Sequence, residues 1–415
     1  MTRIVVLGGG AAGCNIANRL RRRFAAEIDA GLSSITVVDE NERHVYQPGL
    51  LFIPFGVYRA HEIVRPRRAQ LHHQVALRVA TIDRLELDAR QVRLANGECL
   101  GYDVCIVASG AIPAPEETEG LLGAAWRSTI FDFYSIDGAT ALATTLASWR
   151  GGHLVINVAD PPIKGPLAPL EFAFLADWYF TMRGMRGDVD LTLVTPFDGA
   201  IAVSTCRPTL AALLEDKGVR VVPGFRTACV DPQARLLLSW DDEAIPFDLL
   251  VTIPQHLGAR FVRNTPALGD AAGFVRTNPR TLQSLSDPAV FAIGDATDLP
   301  VSKDATVAHF EGAVLDENVA CVLEGVAPSA SFDGHDSCFV ETGFERALLL
   351  DSTYESAPHP GKFPLPSLGP LSLLQESHLN HLGKMAFKWI YWNVILPGHD
   401  IPGLHAHVPA AGRDA

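Results

Sequence analysis

The chain has 415 residues, of which 48% are hydrophobic and 20% charged, a composition typical of a soluble globular protein with two or three domains. The formal net charge of −13 argues against nucleic acid as a partner, because binding to a phosphate backbone requires a clustered basic surface. Seven widely spaced cysteines include no CxxC pair and no metal-ligand spacing, so neither a disulfide framework nor a metal site is predicted.

The first residues contain no pattern of a secretory leader. An apolar strand starts at residue 4, which leaves no room for a charged leader, an apolar core and a cleavage site. No apolar run approaches the roughly 20 residues needed to span a bilayer. We therefore expect a location on the cytoplasmic side of the cell membrane, with any membrane contact peripheral. Homo-oligomerisation is left open.

The first elements in chain order are predicted to be a strand, a Gly-rich turn, a helix and a second strand. The strand covers residues 3–7, the turn residues 8–13 and the second strand residues 34–38, while the helix ends near Ala26. Apolar residues at strand spacing and then at helical spacing support this order. One βαβ unit with a right-handed crossover is therefore expected.

The glycines of this turn have the spacing of a dinucleotide-binding motif, Gly8-x-Gly10-x-x-Gly13. They allow a tight turn and close approach of the backbone to a pyrophosphate, and the helix N-terminus adds a positive dipole. Asp39, at the end of the second strand, can accept ribose hydroxyls. Four neighbouring residues complete the predicted cofactor contacts on this side: Ala11, Ala12, Glu40 and Gln47.

A second α/β pattern follows over residues 153–222, and an apolar strand near residues 289–293 returns the chain to the first unit. The fold class is therefore α/β, with two Rossmann-like dinucleotide-binding domains and a C-terminal membrane-associated segment. The predicted domains are a discontinuous cofactor domain, a second domain without a Gly-rich turn and a C-terminal segment, at residues 1–112 with 285–330, 113–284 and 331–415.

Two further motifs indicate that the first site binds FAD. The segment around Ser109 and Gly110 (VASGA) resembles the ATG turn of two-dinucleotide-fold flavoproteins, and the one around Gly294 and Asp295 (IGDA) resembles their GD motif, whose acid binds the ribityl chain. In the second unit, prolines replace the glycines that a nicotinamide nucleotide would need and remove amide donors. NADH and NADPH are therefore not expected to be electron donors.

Four segments together resemble the sulfide:quinone oxidoreductases over nearly the whole chain. They read NERHVYQPGLLFIP from residue 41, PIKGPLAPLE from 162, GDATDLPVSKDATVAH from 294 and FDGHDSCFVETG from 332. The resemblance implies that sulfide reduces FAD on one face through two redox cysteines, and that electrons pass to a quinone on the other.

Four positions correspond to the redox centre of that family, and three of them match it. Lys303 matches a lysine near the flavin ring, and Glu171 matches an acid at the head of a helix beside it, although such an acid could equally complement the helix dipole. Cys338 matches the C-terminal redox cysteine and follows a turn-forming stretch that suits an accessible thiol. Gly165 stands where relatives carry the flavin-proximal cysteine, so sulfide oxidation is expected to be impaired.

No cysteine occupies residues 46–49 or 120–129, where some relatives attach FAD covalently, so the FAD is expected to be noncovalent. The tail at residues 377–397 places His378, His381, Lys384 and Lys388 on one helical face, with Phe387, Tyr391 and Trp392 as candidate lipid-interface aromatics. A helix packed on the protein core with a wet basic face is the alternative. Because a lipid-soluble quinone is collected from the bilayer, the resemblance favours membrane contact.

Two other functions fit the same motifs. The chain could be a quinone-reducing flavoprotein with a different donor, such as a low-molecular-weight thiol, a persulfide or a protein. It could also be a non-catalytic FAD-binding module.

Overall fold

The computed structural model describes residues 1–201, 206–365 and 368–401. In the first part of the chain, ten strands and two helices follow one another. They are β1 (Thr2–Leu7), α1 (Ala11–Arg23), α2 (Ala25–Asp29), β2 (Ser33–Asp39), β3 (Arg43–Val45), β4 (Val64–Pro66), β5 (Ala76–Val79), β6 (Ile82–Glu86), β7 (Gln91–Leu94), β8 (Cys99–Gly101), β9 (Val104–Val107) and β10 (Ala111–Pro113).

The middle part of the chain first alternates strands and helices, then continues through a series of strands and ends in a short helix. Its elements are β11 (Ile130–Phe131), α3 (Ile136–Ser148), β12 (Gly152–Val158), α4 (Ala168–Met182), β13 (Val189–Val194), α5 (Arg207–Asp216), β14 (Val219–Val222), β15 (Thr227–Asp231), β16 (Leu236–Ser239), β17 (Ala244–Pro246), β18 (Leu249–Ile253), β19 (His256–Gly258) and α6 (Arg260–Arg263).

The last part contains one returning strand, a long helix, a four-stranded sheet and an amphipathic helix. These elements are β20 (Val290–Ala292), α7 (Ala305–Leu323), β21 (Asp336–Gly343), β22 (Arg346–Ser352), β23 (Gly361–Phe363), β24 (Leu371–Leu373) and α8 (His378–Ile390), which continues into a π-helical turn at Tyr391–Ile395.

The first large sheet has the strand order β20-β9-β1-β2-β5, and all its neighbouring strands are parallel. Its strands are apolar and buried, as a sheet with helices on both faces requires. Leu7 pairs with both Val38 and Val107, so β1, β2 and β9 end at the same edge. This register brings the Gly-rich turn, Asp39 and the segment after β9 together at the carboxyl ends of the strands, where α/β sheets bind ligands.

The second large sheet has the order β11-β18-β12-β13-β14 and is also parallel throughout. Its central strand β12 leads into α4, just as β1 leads into α1. This is the α/β architecture with two dinucleotide-binding-type units that the sequence predicts. The predicted helix starts and ends agree with the observed ones to within about three residues, the usual uncertainty of helix ends.

The chain returns to the first unit earlier than the predicted boundary at residue 284. Strand β19 pairs with β10, and Phe261, Val262 and Val275 belong to the apolar core that lies on one face of the first sheet. The packing therefore assigns the segment from about residue 256 onward to the cofactor domain. The sequence pattern did not reveal this, because the returning segment is largely irregular and lacks periodicity.

The C-terminal sheet has the order β21-β22-β24-β23. After α8, the chain docks on α1: Asn15 Nδ2 donates to Ile395 O (2.6 Å), Asn18 Nδ2 to Leu396 O (2.8 Å) and Arg19 Nη2 to Asp400 Oδ1 (2.7 Å). The C-terminal segment thus stabilises the helix that follows the Gly-rich turn. None of the helices in the described parts of the chain has the length and apolar composition that a bilayer crossing requires.

Candidate functional site

A cavity of about 960 Å³ lies between the carboxyl edge of the first sheet, the start of α4 and the C-terminal sheet. Residues from all three regions line it. The predicted site residues on its wall are Gly8, Gly10, Ala11, Ala12, Asp39, Glu40, Gln47, Ser109, Gly110, Gly165, Glu171, Gly294, Asp295, Lys303 and Cys338. Gly13 is the predicted residue that is not on the wall, because it lies beneath the Gly-rich turn.

The nucleotide end of the cavity, formed by the turn at residues 8–13 and the end of β2, requires glycine for steric reasons. Gly8 has a φ of +103°, and a Cβ there would lie 2.4 Å from Ala108 O. A Cβ on Gly13 would lie 1.9 Å from Gly8 O. A Cβ on Gly10 would meet nothing within 4 Å, so this position is open toward the cavity.

The start of α1 is suited to an anion. Gly10 is its N-cap, no side chain caps the helix, and its first turn contains no acidic residue. Uncapped N–H groups and the helix dipole together favour a phosphate. Nearby, the buried Ser109 Oγ has no hydrogen-bond partner within the described residues, so a ligand group can bond to it. The nucleotide end therefore fits a dinucleotide cofactor.

Asp39 and Arg67 form a buried ion pair at this end. Asp39 Oδ2 accepts a hydrogen bond from Gly9 N (2.7 Å) and lies 3.0 Å from Arg67 Nη1. Arg67 Nη1 also donates to Gly9 O. Because Arg67 neutralises Asp39 and holds the turn from the side, it supports the predicted acid. Sequence analysis missed it, since Arg67 lies in a short irregular segment with no motif of its own.

Two lysines and one acid, Lys164, Lys303 and Asp295, lie on the cavity wall, and a second acid is buried nearby. Lys303 Nζ donates to Thr297 O (2.7 Å) and Asp295 O (3.2 Å), and Lys164 Nζ donates to Ala111 O (3.0 Å). Burial raises the pKa of Asp295, and the two lysine charges oppose this effect. Burial lowers the pKa of both lysines. Glu311, which sequence analysis missed, accepts a hydrogen bond from Gly294 N (2.5 Å), and burial raises its pKa to about 8.

The thiol end of the cavity consists of Cys338, Gly165, Glu171 and Lys384. Cys338 lies on β21, and its thiol donates to Phe339 O at 3.6 Å. Lys384 Nζ donates to the same carbonyl oxygen (2.7 Å) and to Glu171 Oε1 (2.7 Å). The lysine and the thiol are therefore neighbours around one oxygen. Elements far apart in the sequence, α4, β21 and α8, provide these residues.

The charges at the thiol end act on Cys338 in opposite directions. Burial raises the pKa of the Cys338 thiol, Asp304 raises it further, and Lys384 lowers it. For Lys384 itself, burial disfavours the ammonium, but the charges of Glu171, Cys338 and Glu341 raise its pKa. Lys384 is thus a stable cation next to the Cys338 thiol, and its positive charge favours the thiolate.

Gly165 lies on the cavity wall in the turn just before α4, with a φ of +57°. Its N–H donates to Lys303 O (2.9 Å). A Cβ at this position would have a single neighbour within 4 Å, the Cβ of Ala168 at 3.8 Å. A side chain therefore has room here, although a residue other than glycine would adopt the left-handed backbone region at some cost.

The structure corrects the predicted orientation of the tail helix. Lys384 and His381 face the protein, since His381 Nδ1 lies 2.9 Å from Glu341 Oε2. Tyr391 and Trp392 are buried at 2% and 4% exposure, so they are not interfacial aromatics. His381 and Lys384 pair with buried carboxylates that other elements contribute, and no local sequence pattern predicts such pairing.

The opposite, apolar face of α8 is exposed instead. The exposed fractions are 51% for Leu379, 59% for Leu382 and 65% for Trp389. Two leucines of the loop between β23 and β24 are exposed as well, Leu365 at 61% and Leu368 at 84%. We call the three exposed side chains of α8, Leu379, Leu382 and Trp389, the apolar patch. Both readings of the tail helix predicted from the sequence placed the basic face outside, which is wrong for His381 and Lys384, whereas His378 on the same face is exposed.

Comparison with known proteins gives consistent results. Residues 2–156 match the family described as pyridine nucleotide-disulphide oxidoreductase. The mitochondrial sulfide:quinone oxidoreductase of Mus musculus is 26% identical over 403 residues, which covers 95% of this chain and 86% of that protein. The structure of the sulfide:quinone oxidoreductase from Aquifex aeolicus superposes with a TM-score of 0.80 at 16% identity, covering 96% of this chain and 92% of the other. A mycobacterial NADH dehydrogenase-like protein is 28% identical over 71% of this chain and 72% of its own length.

Proposed function

We propose that this chain, an FAD-dependent oxidoreductase similar to the sulfide:quinone oxidoreductases over nearly its whole length, takes electrons from a small sulfur compound at the thiol end of its cavity and passes them to a membrane quinone. One observation carries the proposal: a single cavity contains both the Gly-rich nucleotide end and the Cys338–Lys384–Glu171 cluster. When bound, FAD supplies the two-electron acceptor that links a sulfur donor to a quinone.

The residues of the thiol end prepare a sulfur nucleophile. A thiolate is the reactive form of cysteine, but burial opposes its formation at Cys338. The Lys384 ammonium offsets this penalty, and Glu171 keeps the ammonium in place through their 2.7 Å contact. Glu171 Oε1 also accepts a hydrogen bond from Glu341 N (2.7 Å), which ties α4 to the strand that carries Cys338. We assign Cys338 the role of the sulfur-binding thiol and Lys384 that of its counter-ion.

The second sulfur of a two-cysteine reaction is missing, because Gly165 occupies its position. Opening a disulfide or polysulfide bridge with sulfide requires two protein sulfurs, and glycine offers none. Cys206, a buried residue, does not line the cavity. We therefore propose that reduction by free sulfide is slow, and that an organic persulfide, which carries two sulfur atoms of its own, is the better substrate.

The quinone side of the proposal rests on the apolar patch. Because Leu379, Leu382 and Trp389 project from α8 on the side away from the protein, the helix can lie in the interface plane of a membrane. Full burial of an exposed apolar side chain of this size contributes roughly 1.5–3 kcal/mol, and each of these partly buried side chains would contribute a part of that in lipid. Since two of the basic residues of α8 are paired internally, we expect this binding to depend only weakly on salt. The proposed location is the cytoplasmic side of the cell membrane.

Anaerobic mixing of the flavin-loaded protein with candidate donors tests the proposed electron entry. Flavin absorbance is followed after addition of sulfide, a low-molecular-weight thiol or an organic persulfide, with a Cys338→Ser variant as control. We expect the persulfide to reduce the flavin faster than sulfide does, and Cys338→Ser to suppress the reaction. Equal reduction of the two proteins by every donor would rule out the role of Cys338. Rapid reoxidation by a soluble quinone would exclude a non-catalytic module.

Liposome cosedimentation tests the membrane contact. Deletion of the tail is unsuitable, since residues 395–400 hold α1 in place. Trp389→Glu is the better variant, and Trp240→Glu is its matched control, because Trp240 is 70% exposed but lies on the β16–β17 hairpin. We expect Trp389→Glu to weaken cosedimentation and Trp240→Glu to leave it unchanged. Equal binding of both variants and the unmodified chain would refute the role of the apolar patch.

A further inference from the structure

Two carboxyl groups lie next to each other beside the cavity thiol. Asp304 is the N-cap of α7, and its Oδ1 accepts hydrogen bonds from Thr306 N (3.0 Å) and Val307 N (3.0 Å). Asp336 is the first residue of β21, two positions before Cys338. Asp304 and Cys338 both line the cavity. The pair therefore joins the segment that carries Lys303 to the strand that carries the thiol.

The carboxyl groups of Asp304 and Asp336 are in hydrogen-bonding contact with each other. Two ionised carboxylates have no proton to donate, so this contact requires that one of them is protonated. In agreement, the buried Oδ1 of Asp336 has no hydrogen-bond partner among the donors of the described residues. Buried carboxyl pairs of this kind hold one proton between them because both cannot ionise at close range.

We infer that Asp304 and Asp336 share one proton, and that this proton fastens the Lys303 segment to β21 and so positions the Cys338 thiol in the cavity. A second contact joins the same two segments. The Thr306 hydroxyl lies 2.6 Å from Asp304 Oδ1 and 2.9 Å from Ser337 O, the carbonyl next to Cys338. Both aspartates are positioning residues, and their importance for electron entry rests on the proposed function.

The neighbouring charges determine how the pair responds to pH. Asp351, whose Oδ1 lies 2.7 Å from His335 Nε2, faces Asp336 and disfavours its ionisation. The charge of Asp304 raises the pKa of the Cys338 thiol and also that of Glu311. Other charges near the thiol are Lys384, which lowers the pKa of Cys338, and Glu171, which raises it.

Burial raises the pKa of Asp304 well above its usual value, and it raises that of Asp336. The sign follows from this direction. The proton stabilises the native state at pH values below the ordinary pKa of an aspartate, and this stabilisation is lost as the pH rises through the elevated folded-state pKa. Above that point the pair carries two negative charges instead of one. The two carboxylates then repel each other and oppose thiolate formation at Cys338 more strongly.

Infrared spectroscopy of the flavin-loaded protein detects the shared proton directly. We expect a protonated-carboxyl band near neutral pH that Asp336→Asn and Asp304→Asn each reduce by one carboxylic acid. Because there is one proton for two carboxyls, the double variant should lose no more than either single variant. Asparagine is a good N-cap, so Asp304→Asn keeps the start of α7 intact. Glu311→Gln serves as control, since it should remove a different band.

Alkylation of Cys338 by a neutral reagent, followed by mass spectrometry, tests how the charge of the pair acts on the thiol, without sulfide or quinone. Asp336→Asn carries the same charge as the proton-sharing pair, so its alkylation rate should equal that of the unmodified chain near neutral pH. At alkaline pH the variant should react several-fold faster, because it cannot acquire the second charge. An unchanged infrared band in both aspartate variants, or superimposable alkylation profiles throughout, would overturn the inference. Neither readout depends on the proposed donor or acceptor, so failure of the proposed function would be seen separately.

Discussion

The two parallel sheets differ most at the turn that follows their central strand. In the first sheet β1 leads through Gly8, Gly10 and Gly13 into α1, and the uncapped helix start faces the cavity. In the second sheet β12 leads through a proline-containing turn into α4. There the N–H of Gly165 is already bonded to Lys303 O. The second turn faces the same cavity but provides a wall for it instead of a phosphate site.

This difference teaches that strand order alone does not decide what a dinucleotide-type unit binds. Both sheets present the carboxyl end of a central strand followed by a helix, the usual location of a ligand. The first turn leaves backbone donors free and excludes side chains. In the second turn, Pro161 and Pro162 have no backbone N–H to donate. Lys164 and Gly165 of this turn form part of the cavity wall.

Substitutions at the first turn should have the largest effect. Gly13→Ala places a Cβ 1.9 Å from Gly8 O, so the turn must distort, and we expect both loss of FAD from the purified protein and a lower stability. Gly10→Ala meets nothing within the protein and should weaken FAD binding alone. Flavin content and the denaturation midpoint of the apoprotein separate the two effects. A stable Gly13→Ala protein with full flavin content would contradict the steric argument.

Substitution at the second turn should change the reaction with sulfide. Gly165→Cys supplies the missing sulfur at a position with room for a side chain, and we expect flavin reduction by sulfide to accelerate at least about 100-fold, roughly 2.7 kcal/mol of activation free energy. Gly165→Ser, which imposes the same backbone strain without a sulfur, is the control. Cys338→Ser in the Gly165→Cys background should abolish the gain. If the unmodified chain already matches Gly165→Cys, the two-sulfur argument does not apply.

Removal of the counter-ion at the thiol end should have a smaller effect. Lys384→Met takes away the charge that lowers the pKa of Cys338, so the thiolate forms only at higher pH. Alkylation of Cys338 at a fixed pH should slow several-fold, because a smaller fraction of the thiol is ionised. Lys388→Met is the matched control, because Lys388 lies on the same helix but points elsewhere. Its Nζ lies over the Tyr58 ring, 4.1 Å from the ring centroid. Equal slowing in both variants would indicate a general disturbance of α8.

The smallest effect is expected for nicotinamide nucleotides, which should give no turnover above background. The second turn lacks the glycines and free amides that would hold a pyrophosphate, so NADH and NADPH should not reduce the flavin. Steady-state assays with either nucleotide and a soluble quinone measure this directly. Turnover on the order of 10 per second, an ordinary enzyme rate, would show that the second unit binds its nucleotide in another way.

The cofactor side of the cavity could be predicted because its signals are local. Gly8, Gly10 and Gly13 lie within one turn, and Asp39 lies at the end of the next strand, where the parallel register brings it beside that turn. The thiol side could be predicted only residue by residue. Cys338 and Glu171 were identified through resemblance, but Lys384, the lysine between them, was predicted to lie on an outward-facing basic helix face. No local pattern distinguishes a lysine that pairs with a distant buried acid from one that faces water.

The sequence by itself determined the βαβ units, the nucleotide turn and the amphipathic character of α8, because each depends on the backbone preferences and spacing of neighbouring residues. Only the tertiary structure decided which face of α8 points outward. Lys384 and His381 turn inward because Glu171 and Glu341, contributed by α4 and β21, are buried there and need partners. A buried carboxylate without a counter-charge is far more costly than an exposed leucine, so the electrostatic requirement outweighs the exposure of the apolar patch.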